Sequence, residues 1–160
     1  MGNNKSTMKK QLLISCLALA LATSCISTRN TIRNIDDTAL MPALSKEKTF
    51  IITEVSKDKK YGYDQDYPVN LGFLPLATGE INVQRFFGAL AGPEGQKITF
   101  TKAESCCPFP TNKFDAGAGL LDVYDVTWSG LNTPKRIYIN LYEKGKVIAP
   151  QGFTIRQIAQ

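Results

Sequence analysis

LLDVYDVTWSGLNTPKRIYINLY, residues 120–142, decides the fold. Its second half alternates: Ile137, Ile139 and Leu141 point to one side, while Arg136, Tyr138, Asn140 and Tyr142 point to the other. That two-residue period belongs to a strand with one buried face. The first half, LLDVYDVTW, is rich in the β-branched and aromatic residues that suit a pleated surface. Between the halves, SGLNTP at 129–134 has the composition and length of the loop of an antiparallel hairpin.

Outward from this hairpin, KITFTK at 97–102 also alternates, with Ile98 and Phe100 inward. TFIITEV at 49–55 and GFTI at 152–155 are further strand candidates. One helix stands out. In NVQRFFGALAGP, Val83, Phe86, Phe87 and Leu90 fall at i, i+3, i+4 and i+7, Asn82 is placed to cap the start, and Gly92-Pro93 supplies a stop. Several strands and one amphipathic helix, without alternating strand-helix rhythm, predict an α+β domain: a mostly antiparallel sheet with the helix packed on one face.

The amino terminus reads as an export signal. Lys5, Lys9 and Lys10 precede LLISCLALALATS, an uncharged stretch of 13 residues, which is too short for the roughly 20 residues that span a bilayer. It ends in Ala22-Thr23-Ser24-Cys25, which resembles the lipobox of bacterial lipoproteins, whose cysteine is lipidated and becomes the new first residue. An ordinary signal cut at a small-residue site is the alternative. The expected organisation is a signal peptide at 1–24, lipidated Cys25 with a flexible tether to residue 48, and a single α+β domain at 49–160. Ile26 stands where aspartate would favour inner-membrane retention, so the expected location is the cell envelope, anchored to the outer membrane and facing the periplasm.

Charge and composition remove several function classes. The chain carries 19 basic and 14 acidic residues. Losing three leader lysines leaves 16 against 14, so the basic character belongs largely to the discarded segment and gives no case for nucleic acid. Histidine is absent. A Ser-His-Asp or Cys-His catalytic pair and a zinc site with imidazole ligands are therefore excluded. Of four cysteines only Cys106 and Cys107 lie outside the leader and lipid site, too few for a closed structural zinc. The expectation is no metal and no cofactor; GALAGPEG has neither phosphate-cradling glycine pattern.

Two groups of carboxylates remain. Asp122 and Asp125 differ by an odd number of positions, so a regular strand projects them from opposite faces. Asp64 and Asp66 share a parity in YGYDQDYP; with Tyr61, Tyr63 and Tyr67 they form a polar aromatic segment suited to contacting a sugar or peptide or to holding an oxygen-liking cation, although a calcium loop needs more oxygen ligands than this stretch arranges. The competing reading is a surface loop whose tyrosines lie on the domain.

ESCCPFP, residues 104–110, leaves three readings open. A disulfide between neighbours must bridge Cα atoms about 3.8 Å apart, below the roughly 4.4 to 6.8 Å of ordinary disulfides. Such a bond could be a redox switch or a ligand-gripping knuckle. Otherwise the cysteines are two free thiols on opposite sides of an extended segment, or one bonds another chain. Pro108 biases Cys107 away from helix.

Together YGYDQDYPVNLG, RFFGALAGPEGQKITF, ESCCPF, GLLDVYDVTW and YINLYEKGKVIAPQGF resemble an uncharacterised family of small Bacteroidetes-type lipoproteins marked by SCCPF. Members sometimes carry the automatic label 2-dehydro-3-deoxyphosphooctonate aldolase. That class is similar to a (β/α)₈ barrel, which needs about 250 residues. The mature chain has 160 less 24, or 136, and lacks the barrel rhythm. The resemblance implies an envelope location and brings no active site. The expected function is a non-enzymatic, membrane-anchored lipoprotein binding a periplasmic protein or an envelope glycan, an immunity or inhibitor protein being one form. The rival is a periplasmic enzyme, either thiol redox through Cys106 and Cys107 or carbohydrate-active through Asp64, Asp66, Asp122 or Asp125.

Overall fold

The computed structural model describes residues 30–156; the leader and Cys25 lie outside them. The elements in order are β1 (Val69–Asn70), a 3-10 turn (Leu76–Thr78), α1 (Glu80–Gly88), β2 (Leu90–Ala91), β3 (Ile98–Pro110), β4 (Ala118–Trp128), β5 (Lys135–Asn140) and β6 (Thr154–Ile155). Four strands form one sheet in the order β1-β5-β4-β3, and β2 pairs with β6 in a second. Among the named strands, every pairing except the parallel β1–β5 contact is antiparallel. The α+β class with a mainly antiparallel sheet is as expected.

The hairpin of residues 120–142 is the sheet's centre. Tyr124 faces Ile137 and Asp122 faces Ile139 across β4–β5, so the inward set of each strand falls on one side. Ile137, Ile139 and Val126 are completely buried there. Helix α1 closes that side with Val83, Phe86 and Phe87. Phe87 stacks on Phe100 with ring centroids 4.4 Å apart and meets Tyr124 at 5.5 Å.

The ends of α1 differ from the sequence expectation. Asn82 sits inside the helix, fully buried, and its amide donates to the Leu71 carbonyl at 3.1 Å. Gly79 occupies the cap position, and Glu80 places a carboxylate in the first turn, where the helix dipole favours it. The helix ends at Gly88, and Leu90 enters β2 opposite Ile155. A buried amide satisfying a distant carbonyl outweighs the local capping preference.

β3 is also longer than KITFTK. It runs through ESCCPFP in 13 residues, with bulges between Lys102 and Glu104 and between Cys106 and Phe109. As the outermost strand it has a free edge, which tolerates Pro108 and Pro110. TFIITEV forms only isolated bridges, Leu44 to Phe50 and Val55 to Ala149, although Phe50 and Ile52 are buried.

The segment expected as a tether packs against the domain from its first described residues. On the sheet face away from α1, Ile32 joins Phe109 and Leu121 in a second buried cluster, with Cys107 and Tyr142 beside it. Gly119 permits this packing, because a Cβ there would lie 2.8 Å from the Phe109 ring and 2.9 Å from Tyr142. The Arg33 amide donates to the Asp66 carbonyl at 2.9 Å and the Asp36 amide to that of Lys144 at 2.8 Å. Asn70 donates to the Asn34 carbonyl at 2.9 Å, and Asn140 donates to Asn70 Oδ1 at 3.0 Å. The packed domain therefore extends amino-terminal of Thr49 and includes residues 32–36. Over residues 37–44 the chain makes a turn at Asp37-Thr38 and no helix.

Candidate functional site

The second bulge of β3 builds the site. Cys106 pairs with Leu121 and Phe109 with Gly119, so Cys107 and Pro108 together oppose Leu120 alone. A bulge of this kind bends the strand and re-aims a side chain. Cys107 adopts φ 57°, in the left-handed region that L residues other than glycine seldom occupy. Its sulfur is bonded to that of Cys106 across Cα atoms 3.7 Å apart. Of the three readings of the pair, the structure holds the neighbour disulfide.

Beside Cys107 lies a cavity of about 200 Å³. Buried Ile32, Phe109 and Leu121 line its apolar depth, and Cys107 and Pro108 form one wall. Thr31, Gln65 and Asp66 supply its polar groups. Thr31 Oγ1 donates to Asp66 Oδ1 at 2.6 Å, which fixes the carboxylate at the opening. The Asp64 side chain steadies the same turn by accepting the Asp66 amide at 2.9 Å, and it pairs with Lys60 at 3.6 Å.

Asp66 and Cys107, 41 positions apart in sequence, thus meet at one cavity. The tyrosines of YGYDQDYP do not join them. Tyr61 is a core residue, 2% exposed, whose hydroxyl donates to the Lys146 carbonyl at 3.1 Å and accepts the Ile148 amide at 3.3 Å. Burial raises its pKa well above the usual tyrosine range. Tyr63 donates to the Gln151 carbonyl, and desolvation pushes its pKa up to about 12. Tyr67 packs edge-on against Tyr61 at 5.7 Å. These three rings anchor the loop to the domain, the competing reading of the segment.

Asp122 and Asp125 project from opposite faces, as their parity requires. Asp122 accepts Ser105 Oγ and pairs with Lys102 Nζ, both at 2.7 Å, on the α1 side. Asp125 pairs with Arg136 at 3.3 Å on the other. Near Asp122, Tyr124 donates to Glu80 at 3.3 Å, joining sheet to helix start. Burial first, then the carboxylates of Glu80 and Asp122, raise the Tyr124 pKa. Among the described residues, no three His, Cys, Asp or Glu side chains are grouped to hold a metal ion.

Thr31, Ile32 and Gln65 escaped the sequence reading. Ile32 and Ile35, three positions apart among polar residues, were the available signal, but two apolar positions in a polar stretch do not define an element. No family model matches the chain, no curated protein matches it, and no solved structure matches it.

Proposed function

We propose that this protein is a non-enzymatic, lipid-anchored envelope module that binds a glycan through one sugar ring at the Cys107 cavity. The observation that carries this reading is the lining and size of the cavity. An apolar hole of about 150 Å³ admits a benzene ring. At about 200 Å³ the Cys107 cavity is suited to one ring-sized group and is smaller than the roughly 300 to 1,000 Å³ of small-molecule sites. Its apolar walls match the C–H face of a pyranose. Asp66, Thr31 and Gln65 offer acceptors and donors to hydroxyls at the ring's edge.

Thr31 holds the Asp66 carboxylate through Oδ1, and that carboxylate at the cavity is the acceptor offered to a ligand hydroxyl. The bond between Cys106 and Cys107 stiffens the wall that the ring would rest on. Anchoring at Cys25 and an outer-membrane location facing the periplasm complete the proposal, supported by the lipobox-like ATSC and the resemblance to small envelope lipoproteins.

Titration calorimetry of the purified protein with envelope monosaccharides and peptidoglycan fragments tests it. Asp66→Ala should weaken binding about tenfold or more, since a hydrogen bond to a charged group is worth roughly 1.5 to 3 kcal/mol. The glycan reading fails if no sugar binds in the millimolar range. A stoichiometric protein recovered from solubilised membranes would then take the glycan's place as the ligand.

A further inference from the structure

Anchoring and packing together constrain how the domain stands on the membrane. Ile32 is 8% exposed and locked into the cluster of Phe109 and Leu121. Only seven positions separate it from Cys25, and seven residues reach about 25 Å at full extension. A compact chain the size of the described region has a radius of gyration of about 14 Å, hence a diameter of about 36 Å. The chain between the lipid and Ile32 is therefore shorter than the domain is wide. The Ile32 face cannot turn to the pole opposite the bilayer.

That face also presents an aromatic contact. Phe114 lies in the loop between β3 and β4, beyond the Pro110–Ala118 pair, and is 45% exposed. Its ring stands 6.0 Å from that of Tyr142, which meets Phe109 at 5.7 Å. Lys113 in the same loop pairs with Asp37 at 3.1 Å and ties the loop to the amino-terminal segment. An exposed aromatic ring beside an acylated chain is suited to the bilayer interface, where such rings concentrate.

We infer that the Ile32–Phe114 face rests against the bilayer, so that the Cys107 cavity takes a sugar carried on the membrane surface, such as a glycolipid headgroup. This rests on lipidation at Cys25 and on the glycan reading of the cavity. It goes beyond both in naming the docking face and the source of the ligand. The far end of β4 then points away from the membrane. Trp128 lies nine residues along the strand from Gly119, about 30 Å at the rise of a β-strand.

Trp128 is the chain's single tryptophan, which gives a built-in control. The full chain, expressed with its own leader, is reconstituted into phosphatidylethanolamine–phosphatidylglycerol vesicles containing lipids brominated near the headgroup. In the double variant Phe114→Trp, Trp128→Phe, the indole should be quenched at least about threefold more than Trp128 of the wild type, because only the former reaches the interface. Equal quenching, or stronger quenching of Trp128, overturns the orientation while flotation with the vesicles shows the anchor intact. If the chain neither floats nor carries acyl mass on Cys25, the anchor is lost and the orientation with it, whereas glycan binding is judged separately by calorimetry. Trp128 packs on Phe153, so Phe114→Trp alone serves as the second variant. Its quenching must exceed that of the wild type for the orientation to stand.

Discussion

Cys107 is held where an L residue is strained. Its φ of 57° carries a cost of about 1 to 2 kcal/mol for any residue with a Cβ, and glycine avoids it. In a chain lacking the disulfide, Cys106→Ala with Cys107→Gly should therefore exceed Cys106→Ala with Cys107→Ala in stability by about 1 kcal/mol. Urea denaturation of the two checks this; equal midpoints would mean that the bulge relaxes once the sulfurs are gone. The bond itself is tested by alkylating the unfolded protein: Cys106 and Cys107 should take label only after reduction. Tyr63 adds a pH dependence. Its pKa in the folded chain is about 12 against an ordinary 10.0 because burial disfavours the phenolate. Below the ordinary value both folded and unfolded chains keep the proton, so stability is at its full level. Above it the unfolded chain ionises first, and stability falls as the pH climbs through the folded value. Tyr61 shifts in the same direction and adds to the fall. Urea midpoints taken from neutral pH to about 12 should drop across that window, and Tyr63→Phe should make the drop shallower. An unchanged slope in Tyr63→Phe would assign the alkaline loss to other groups.

Among the elements, α1 depends on Phe87, which is 1% exposed and contacts Phe86, Phe100 and Tyr124. Phe87→Ala should cost about 3 to 5 kcal/mol, whereas Leu120→Ala, at a position 45% exposed, should cost well under 1. Thermal melts of both variants separate them, and similar losses would show that Phe87 does not anchor the helix. Where burial and period coincide, the sequence showed the element. The alternation of Ile137 and Ile139, and the spacing of Val83, Phe86 and Phe87, each survive as a buried face. β3 was legible only over residues 98–102, because two bulges break the period and Ala103, Glu104 and Ser105 are all exposed. The helix start was misplaced for the opposite reason. Asn82 looks like a cap locally, and only the distant Leu71 carbonyl explains its place inside the helix. Half the candidate site follows the same division. Cys107 and Asp66 carry chemistry that is conspicuous in the sequence, while Thr31 and Ile32 acquire a role only when the amino-terminal segment folds back over β4.

The whole molecule depends on that returning segment more than its composition indicates. Residues 30–36 cover the second face of the sheet, so a chain beginning at Thr49 would lose more than a tether. Ile32 would no longer shield Phe109 and Leu121, which are 3% and 1% exposed in the intact domain. Fully burying one such aliphatic side chain contributes roughly 1.5 to 3 kcal/mol. The amide of Asn70 would lose the Asn34 carbonyl, and each buried polar group stranded in this way costs about 1 to 3 kcal/mol unless water replaces its partner. Both terms act against folding, and their sum is a large share of the 5 to 15 kcal/mol, roughly, that a domain possesses. A chain starting at Thr49 should therefore unfold at markedly lower urea than one starting at Asn30, and it should lose glycan binding along with Thr31 and Ile32. Asn70→Ala separates the two contributions. It breaks the ladder from Asn34 to Asn140 but leaves Ile32 in place, so it should lower stability by about 1 to 3 kcal/mol while the cavity still binds. Equal stability of the two truncated chains would show that the domain closes without this segment. The lipid would then hold the domain on a chain of more than twenty residues rather than seven, a length that places no restriction on which face meets the membrane.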